Sequence, residues 1–161
     1  MTLAREASAG YMTNLAARLF ARAIDDRLRP LGVSSGHLPV FFALANGGAL
    51  TQTALAQAAA TEQPTMAATL SRMERDGLIR RRPDPRDGRS ALIVLTPVAL
   101  KKVKAVENAV QSVNEKALAK LDEGARDAFL EALAKVVRAL DSGDERVGSS
   151  PSDRAAKPSR A

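Results

Sequence analysis

The chain has 161 residues, 45% of them apolar and 3% aromatic, enough to bury the core of one ordinary domain. The abundance of Ala, Leu and Val suits packed helices rather than a sandwich or barrel. Cys and Trp are absent and His37 is the single histidine, which excludes disulfides, thiolate metal sites and a cysteine nucleophile, and leaves no histidine cluster and no obvious general base, while a net charge of +6 favours an anionic partner, nucleic acid or a membrane surface.

In chain order, residues 1–10 are expected to be a flexible N-terminus. The first thirty residues carry Arg5, Arg18, Arg22, Arg27 and Arg29 among apolar ones, with no apolar block or small-residue cleavage site, so no signal peptide is expected. No stretch approaches the roughly 20 apolar residues of a membrane span, and the expected location is the cytoplasm, without a membrane partner. Met12, Leu15, Ala16, Leu19, Ala23, Ile24 and Leu28 follow helical spacing from Tyr11 to Arg29, and Pro30 and Gly32 end the run. Ser34 or Ser35 can cap a second helix through Leu38, Phe41, Phe42 and Leu44, with Pro39 in its first turns and Asn46-Gly47-Gly48 as its stop.

Thr51 opens a short helix that buries Leu55, Ala56 and Ala59. Thr61 opens another, with Pro64 in its first turn and Met66, Leu70 and Met73 as its apolar stripe, ending at Asp76-Gly77. Two short helices joined by a tight turn have the spacing of a helix-turn-helix. The residues 78–82 and 91–95 then read as two strands, and the polar stretch 83–90 reads as a tip too long for a two-residue turn. A helix-turn-helix followed by a hairpin with a cationic tip is a winged helix. From Pro97 the residues Leu100, Val103, Val106, Val110, Val113, Ala117 and Leu121 recur at intervals of 3, 3, 4, 3, 4 and 4, close to a heptad seam. Glu123-Gly124 is expected to break that helix, and Phe129, Leu133, Val136 and Leu140 mark a final one. The tail 141–161 is rich in Ser, Pro, Gly and charge and is expected to be disordered.

The positive charge is unevenly made: the first hundred residues contain twelve Arg and no Lys, against eight acidic residues. Arg is the planar, forked cation that reads guanine edges and narrow minor grooves. A GC-rich genome explains the bias equally well, so it counts only together with a motif.

The segments Thr51-Gln52-Thr53-Ala54-Leu55-Ala56, Pro64-Thr65 through Leu70, Met73-Glu74, Gly77-Leu78-Ile79, Asp84-Pro85-Arg86-Asp87-Gly88-Arg89 and Leu95-Thr96, in that order, resemble the MarR family of bacterial transcriptional regulators from about Tyr11 to Leu140. The resemblance implies a mainly α fold with a small β-hairpin wing: a winged helix-turn-helix DNA-binding region over 34–96, and dimerisation helices over 11–33 and 97–140. It implies a homodimer on a double-stranded DNA operator, with repression relieved by a small phenolic or aromatic carboxylate effector. It implies no cofactor, metal or catalytic residue. The absence of Cys excludes the branch of the family that senses peroxides through a thiol. The stretch from Glu62 to Ile79 looks most like regulators of aromatic catabolism, nicotinate-type acids among their substrates. Long apolar seams at both ends independently point to a partner surface, and a twofold dimer predicts a pseudo-palindromic operator.

On the presumed recognition helix, Gln63, Thr65, Thr69 and Arg72 are expected outward, where Gln can pair with adenine, Thr can touch a thymine methyl and Arg can reach guanine or phosphate. Arg75 is a phosphate clamp or a pair for Asp76. Thr53 can bond a phosphate or help cap its helix. At the wing, Arg86 is the first choice for a minor groove, and Arg89 is expected to contact DNA or pair with Asp84. Asp84 and Asp87 would fix these arginines. The run Arg80-Arg81-Arg82 serves equally as a charged edge strand or as phosphate contacts. His37, Arg18, Tyr11 and Phe41 are candidates for an effector crevice, with core packing the ordinary use of Phe41 and a backbone-satisfied, half-buried position that of His37. Two other classes compete: a non-specific architectural DNA-binding protein, and a small hydrolase or transferase, the latter without a Gly-rich phosphate loop or paired catalytic motifs.

Overall fold

The computed structural model describes residues 4–141, and these divide after Ala119 into two units. The first opens with a 3₁₀ turn, Arg5–Ala7, and helix α1, Ala9–Leu28, whose first turn is capped by Ser8 Oγ accepting from the Tyr11 N–H at 3.3 Å. The helix thus starts two residues ahead of the expected Tyr11. A second 3₁₀ turn, Arg29–Leu31, leads through Gly32, at φ +66°, into a third, Ser35–His37, and then α2, Leu38–Leu44, with Pro39 in its first turn. Asp25 Oδ1 accepts from the Ser35 N–H at 2.6 Å, fastening that third turn to α1.

The short strand β1, Leu50–Thr51, precedes α3, Gln52–Ala58, and α4, Gln63–Arg75. Thr51, not Thr53, caps α3, its Oγ1 accepting from the Ala54 N–H at 3.2 Å. Thr61 does not open α4; its hydroxyl donates to the Ala59 carbonyl, and Glu62 is the residue ahead of the helix. Strands β2, Ile79–Asp84, and β3, Asp87–Leu95, form an antiparallel hairpin, and the sheet order is β1-β3-β2. β1 was not expected, because a two-residue strand carries no local signal; its pairing with Leu92 and Ile93 creates it.

At the tip the regular ladder runs from Ile79 opposite Leu95 to Pro83 opposite Ala91 and there shifts register. One further pair, Asp84 opposite Asp87, closes the turn over Pro85 and Arg86, and Gly88, Arg89 and Ser90 stand without a ladder partner, so the strands extend past the expected ends while the tip remains irregular.

Helix α5, Pro97–Ala117, is capped by Thr96, whose Oγ1 accepts from the Ala99 N–H and donates to the Gly77 carbonyl at 2.7 Å. Lys102 Nζ donates to the Leu31 carbonyl at 2.7 Å, tying α5 to the connection after α1. The core of this unit joins Leu28, Phe41, Leu44, Leu55, Leu70, Met73, Ile79, Ile93 and Val106, all buried. The second unit is α6, Glu123–Asp141. Asp122 caps it, accepting from the Ala125 N–H at 2.9 Å, so Gly124 sits in its first turn rather than breaking the previous helix, and Leu121 falls between the two. The expected tail reaches the described residues only at Asp141; the rest of it, 142–161, lies outside them, as do residues 1–3.

Candidate nucleic-acid interface

α4 is set by its two ends and by one stripe. Pro64 fits the first turn, where its missing N–H leaves no bond unmade. At the other end Gly77, at φ +71°, lets the Leu78 N–H reach the Met73 carbonyl at 2.8 Å and its own N–H reach Glu74 at 3.0 Å, a Schellman closure. Met66, Thr69, Leu70 and Met73 are buried, which is the i, i+3, i+4, i+7 stripe of a helix packed on a core. The outward face is Pro64, Thr65, Ala68, Ser71, Arg72 and Arg75, all exposed.

Thr69 is therefore not the outward residue it was expected to be. It lies three residues after Met66 and four before Met73, on the inward stripe, and its Oγ1 accepts from the Arg72 guanidinium at 3.2 Å. Its task is to hold Arg72. Gln63 Oε1 accepts from Gln52 Nε2 at 3.3 Å, linking the first turns of α3 and α4. Thr53 is exposed on α3. Arg75 pairs with Asp76 (Nε to Oδ1, 3.1 Å), and Glu74 pairs with Arg81 of β2 at 3.1 Å, so the wing is braced against α4. Ala68 and Ser71 were missed as outward residues, although counting by threes and fours from Pro64 and Thr65 finds both.

At the wing tip, Asp84 is buried and accepts from the Arg86 N–H at 2.9 Å, while the Arg86 guanidinium stands 3.8 Å from the same oxygen and is 87% exposed. Arg86, not Arg89, faces Asp84. Asp87 Oδ1 accepts from the Arg89 N–H at 3.0 Å, the second clasp of the turn. A hollow of about 330 Å³ on the hairpin brings Arg89 beside Arg82, with Ser90 and Gly88. Between Thr61 and Ser90 there are seven arginines and five acidic residues. Glu74, Asp76 and Asp84 are matched by Arg81, Arg75 and Arg86. Among the described residues Arg72, Arg80, Arg82 and Arg89 have no ion pair. The surface thus offers cations to an anionic partner although its net charge is only +2 (seven minus five).

His37 is buried behind this surface. Its Nδ1 accepts from the Ser34 N–H at 3.3 Å, and burial, reinforced by the Arg72 charge, holds its pKa below the ordinary 6.5 against the opposing pull of Asp76 and Asp25. The structure does not bring the effector candidates together. Phe41 is in the core, His37 is packed under α4, and Tyr11 and Arg18 are exposed on α1. An apolar groove of about 350 Å³ between α1 and α5 is lined by Leu19, Phe20, Ala23, Val113 and Lys116, among others, and by none of those four. Among the described residues no group of three or more acidic or histidine side chains could hold a metal ion, and no helix is long and apolar enough to cross a membrane.

Comparison with known proteins adds the following. A family model described as MarR family matches residues 31–90. The HTH-type transcriptional regulator YwoH of Bacillus subtilis (strain 168) is 31% identical over 119 residues, covering 74% of this chain and 86% of its own length. The transcriptional regulator HosA of Escherichia coli O111:H- is 34% identical over 100 residues, 62% of this chain and 74% of its own. Among solved structures, the MepR–DNA complex of S. aureus superposes with a TM-score of 0.72 at 26% identity, covering 83% of this chain and 98% of MepR.

Proposed function

The chain belongs to the MarR family of DNA-binding transcriptional regulators, and on that premise we propose that it is a repressor: a homodimer that binds a pseudo-palindromic operator and leaves it when a small aromatic or phenolic carboxylate binds. The single observation that carries DNA recognition is the outward face of α4 flanked by a wing whose tip arginine, Arg86, is held out into solvent by the buried Asp84. α4 enters the major groove with Thr65 toward the bases; Arg72 and Arg75, in its last turns, reach phosphates, as do Thr53 and Gln63 in the first turns of α3 and α4. Arg86 enters the adjacent minor groove, with Arg89 on the backbone. MepR is solved with DNA, which supports the same use of this fold here.

Dimerisation falls to 11–33 and 97–140, where apolar side chains stand exposed: Met12 and Leu19 on α1, Val98 and Leu100 on α5, and Phe129, Leu130, Val137 and Leu140 on α6, a helix that buries no residue in the single chain. Apolar faces of that extent mark a partner surface, and a second copy supplies it with the symmetry that a palindrome mirrors. The effector site is completed between the copies, within reach of the exposed Tyr11 and Arg18 of α1, while Phe41, buried in the core, takes its ordinary use in packing. The place of action is the cytoplasm, on the chromosome. The test is a reporter fused to the DNA upstream of the chain's own gene. Expression should fall when the chain is supplied and recover with benzoate or nicotinate. A reporter that ignores the chain would overturn repression, and one that ignores both carboxylates would overturn the effector class.

A further inference from the structure

We infer that the outward face of α4 reads thymine methyl groups, with Thr65 and Ala68 as the specificity-determining residues, so that each half-site facing this helix is A·T-rich; this rests on the reading that α4 enters the major groove. The first half of a recognition helix supplies the base contacts. From position 64 to 71 the exposed side chains are Pro64, Thr65, Ala68 and Ser71. None is an arginine or lysine for guanine, an asparagine or glutamine for adenine, or a carboxylate for cytosine. Gln63, at the margin, has its amide oxygen engaged by Gln52, and that oxygen is one of the two atoms a bidentate pairing with adenine needs. Thr69 is turned into the core and holds Arg72. What the face presents is a threonine methyl, an alanine methyl and a hydroxyl, and the base-edge group that rewards apolar contact is the C5-methyl of thymine. From Thr65 to Ser71 is about 9 Å along the axis, about three base-pair steps. The long cations, Arg72 and Arg75, come only in the last turns, where they suit phosphates. Arg86 points the same way, since narrow A·T-rich minor grooves attract an inserted arginine.

The experiment is selection of duplexes from a random library by the full chain at one fixed salt concentration. The selected duplex is then remade with single thymines replaced by uracil, which removes the methyl group and keeps the pairing. The expected result is an A·T-rich half-site in which uracil at one or two positions weakens binding about fourfold per methyl lost. Thr65→Ser should abolish the thymine–uracil difference at one of those positions, whereas Arg86→Ala should weaken both duplexes alike and leave their ratio unchanged. A selected site that is G·C-rich, or one that tolerates uracil throughout, overturns methyl readout while leaving sequence-specific binding intact. If no sequence is enriched over random DNA, the DNA-recognition reading fails and this one with it.

Discussion

Asp84 and Arg86 divide the labour of the wing between a buried acceptor and an exposed cation. The carboxylate is spent on the turn, accepting the Arg86 N–H, so the guanidinium it faces at 3.8 Å remains available to a ligand. Arg86→Ala should lower operator affinity by about 1–3 kcal/mol and reduce the salt dependence by about one counterion, with dimerisation unchanged, as a gel-shift series over salt would measure. Asp84→Ala should lower affinity too, through a loosened tip, and should also lower the melting temperature, because only it removes a buried bond. His37 supplies a pH dependence. Its folded-state pKa lies below the ordinary 6.5, so in the unfolded chain it takes up a proton first. The stability it contributes is therefore fully present above about 6.5 and is lost as pH falls from there through the lower folded-state pKa. His37→Gln keeps an acceptor for the Ser34 N–H and cannot charge, so its melting temperature should fall less than the wild type's between pH 7.5 and 5.5. At this scale the sequence was legible for the two aspartates of the tip, expected to fix the arginines and found accepting from the Arg86 and Arg89 N–H groups. It failed for Thr69, whose side depended on counting its position along the helix.

At the scale of elements, α4 depends on Gly77 at φ +71° and on the fully buried Leu70. Gly77→Val should destabilise by about 1–2 kcal/mol or more, since a branched residue is strained there. Leu70→Ala should cost about 2–5 kcal/mol by opening a cavity between α4 and its neighbours. Ala60, in the turn before α4, also has positive φ, at 46°. Ala60→Gly should stabilise slightly, the relief of strain exceeding the added freedom of the unfolded chain. Urea unfolding would rank all three. The helices were legible because α1, α4 and α5 each carry an apolar stripe over three or more turns. β1 was not, because it exists through pairing with β3 rather than through its own two residues. The end of α5 was misplaced for a related reason: Gly124 looks like a stop until Asp122 is seen to cap the helix that contains it.

For the whole molecule, the net charge of +6 says less than where the cations stand. The stretch from Thr61 to Ser90 carries only +2, yet Arg72, Arg80, Arg82 and Arg89 stand there without an ion pair among the described residues. The exposed apolar residues of α1, α5 and α6 predict that the chain sediments as a dimer of the 17.0 kDa protomer. Leu19→Lys on α1, which is 57% exposed, should shift it toward monomer and weaken operator binding in parallel; an undiminished dimer would remove α1 from that contact. The effector was not legible in the sequence, since its candidates are scattered over one chain. The most direct measurement is a binding titration of the full chain with two duplexes of equal length at the same salt, one from the DNA beside its own gene and one random. Sequence-specific regulation predicts binding to the first at least about 10³-fold tighter. Equal affinity for the two would mean a basic surface without sequence readout and would contradict it.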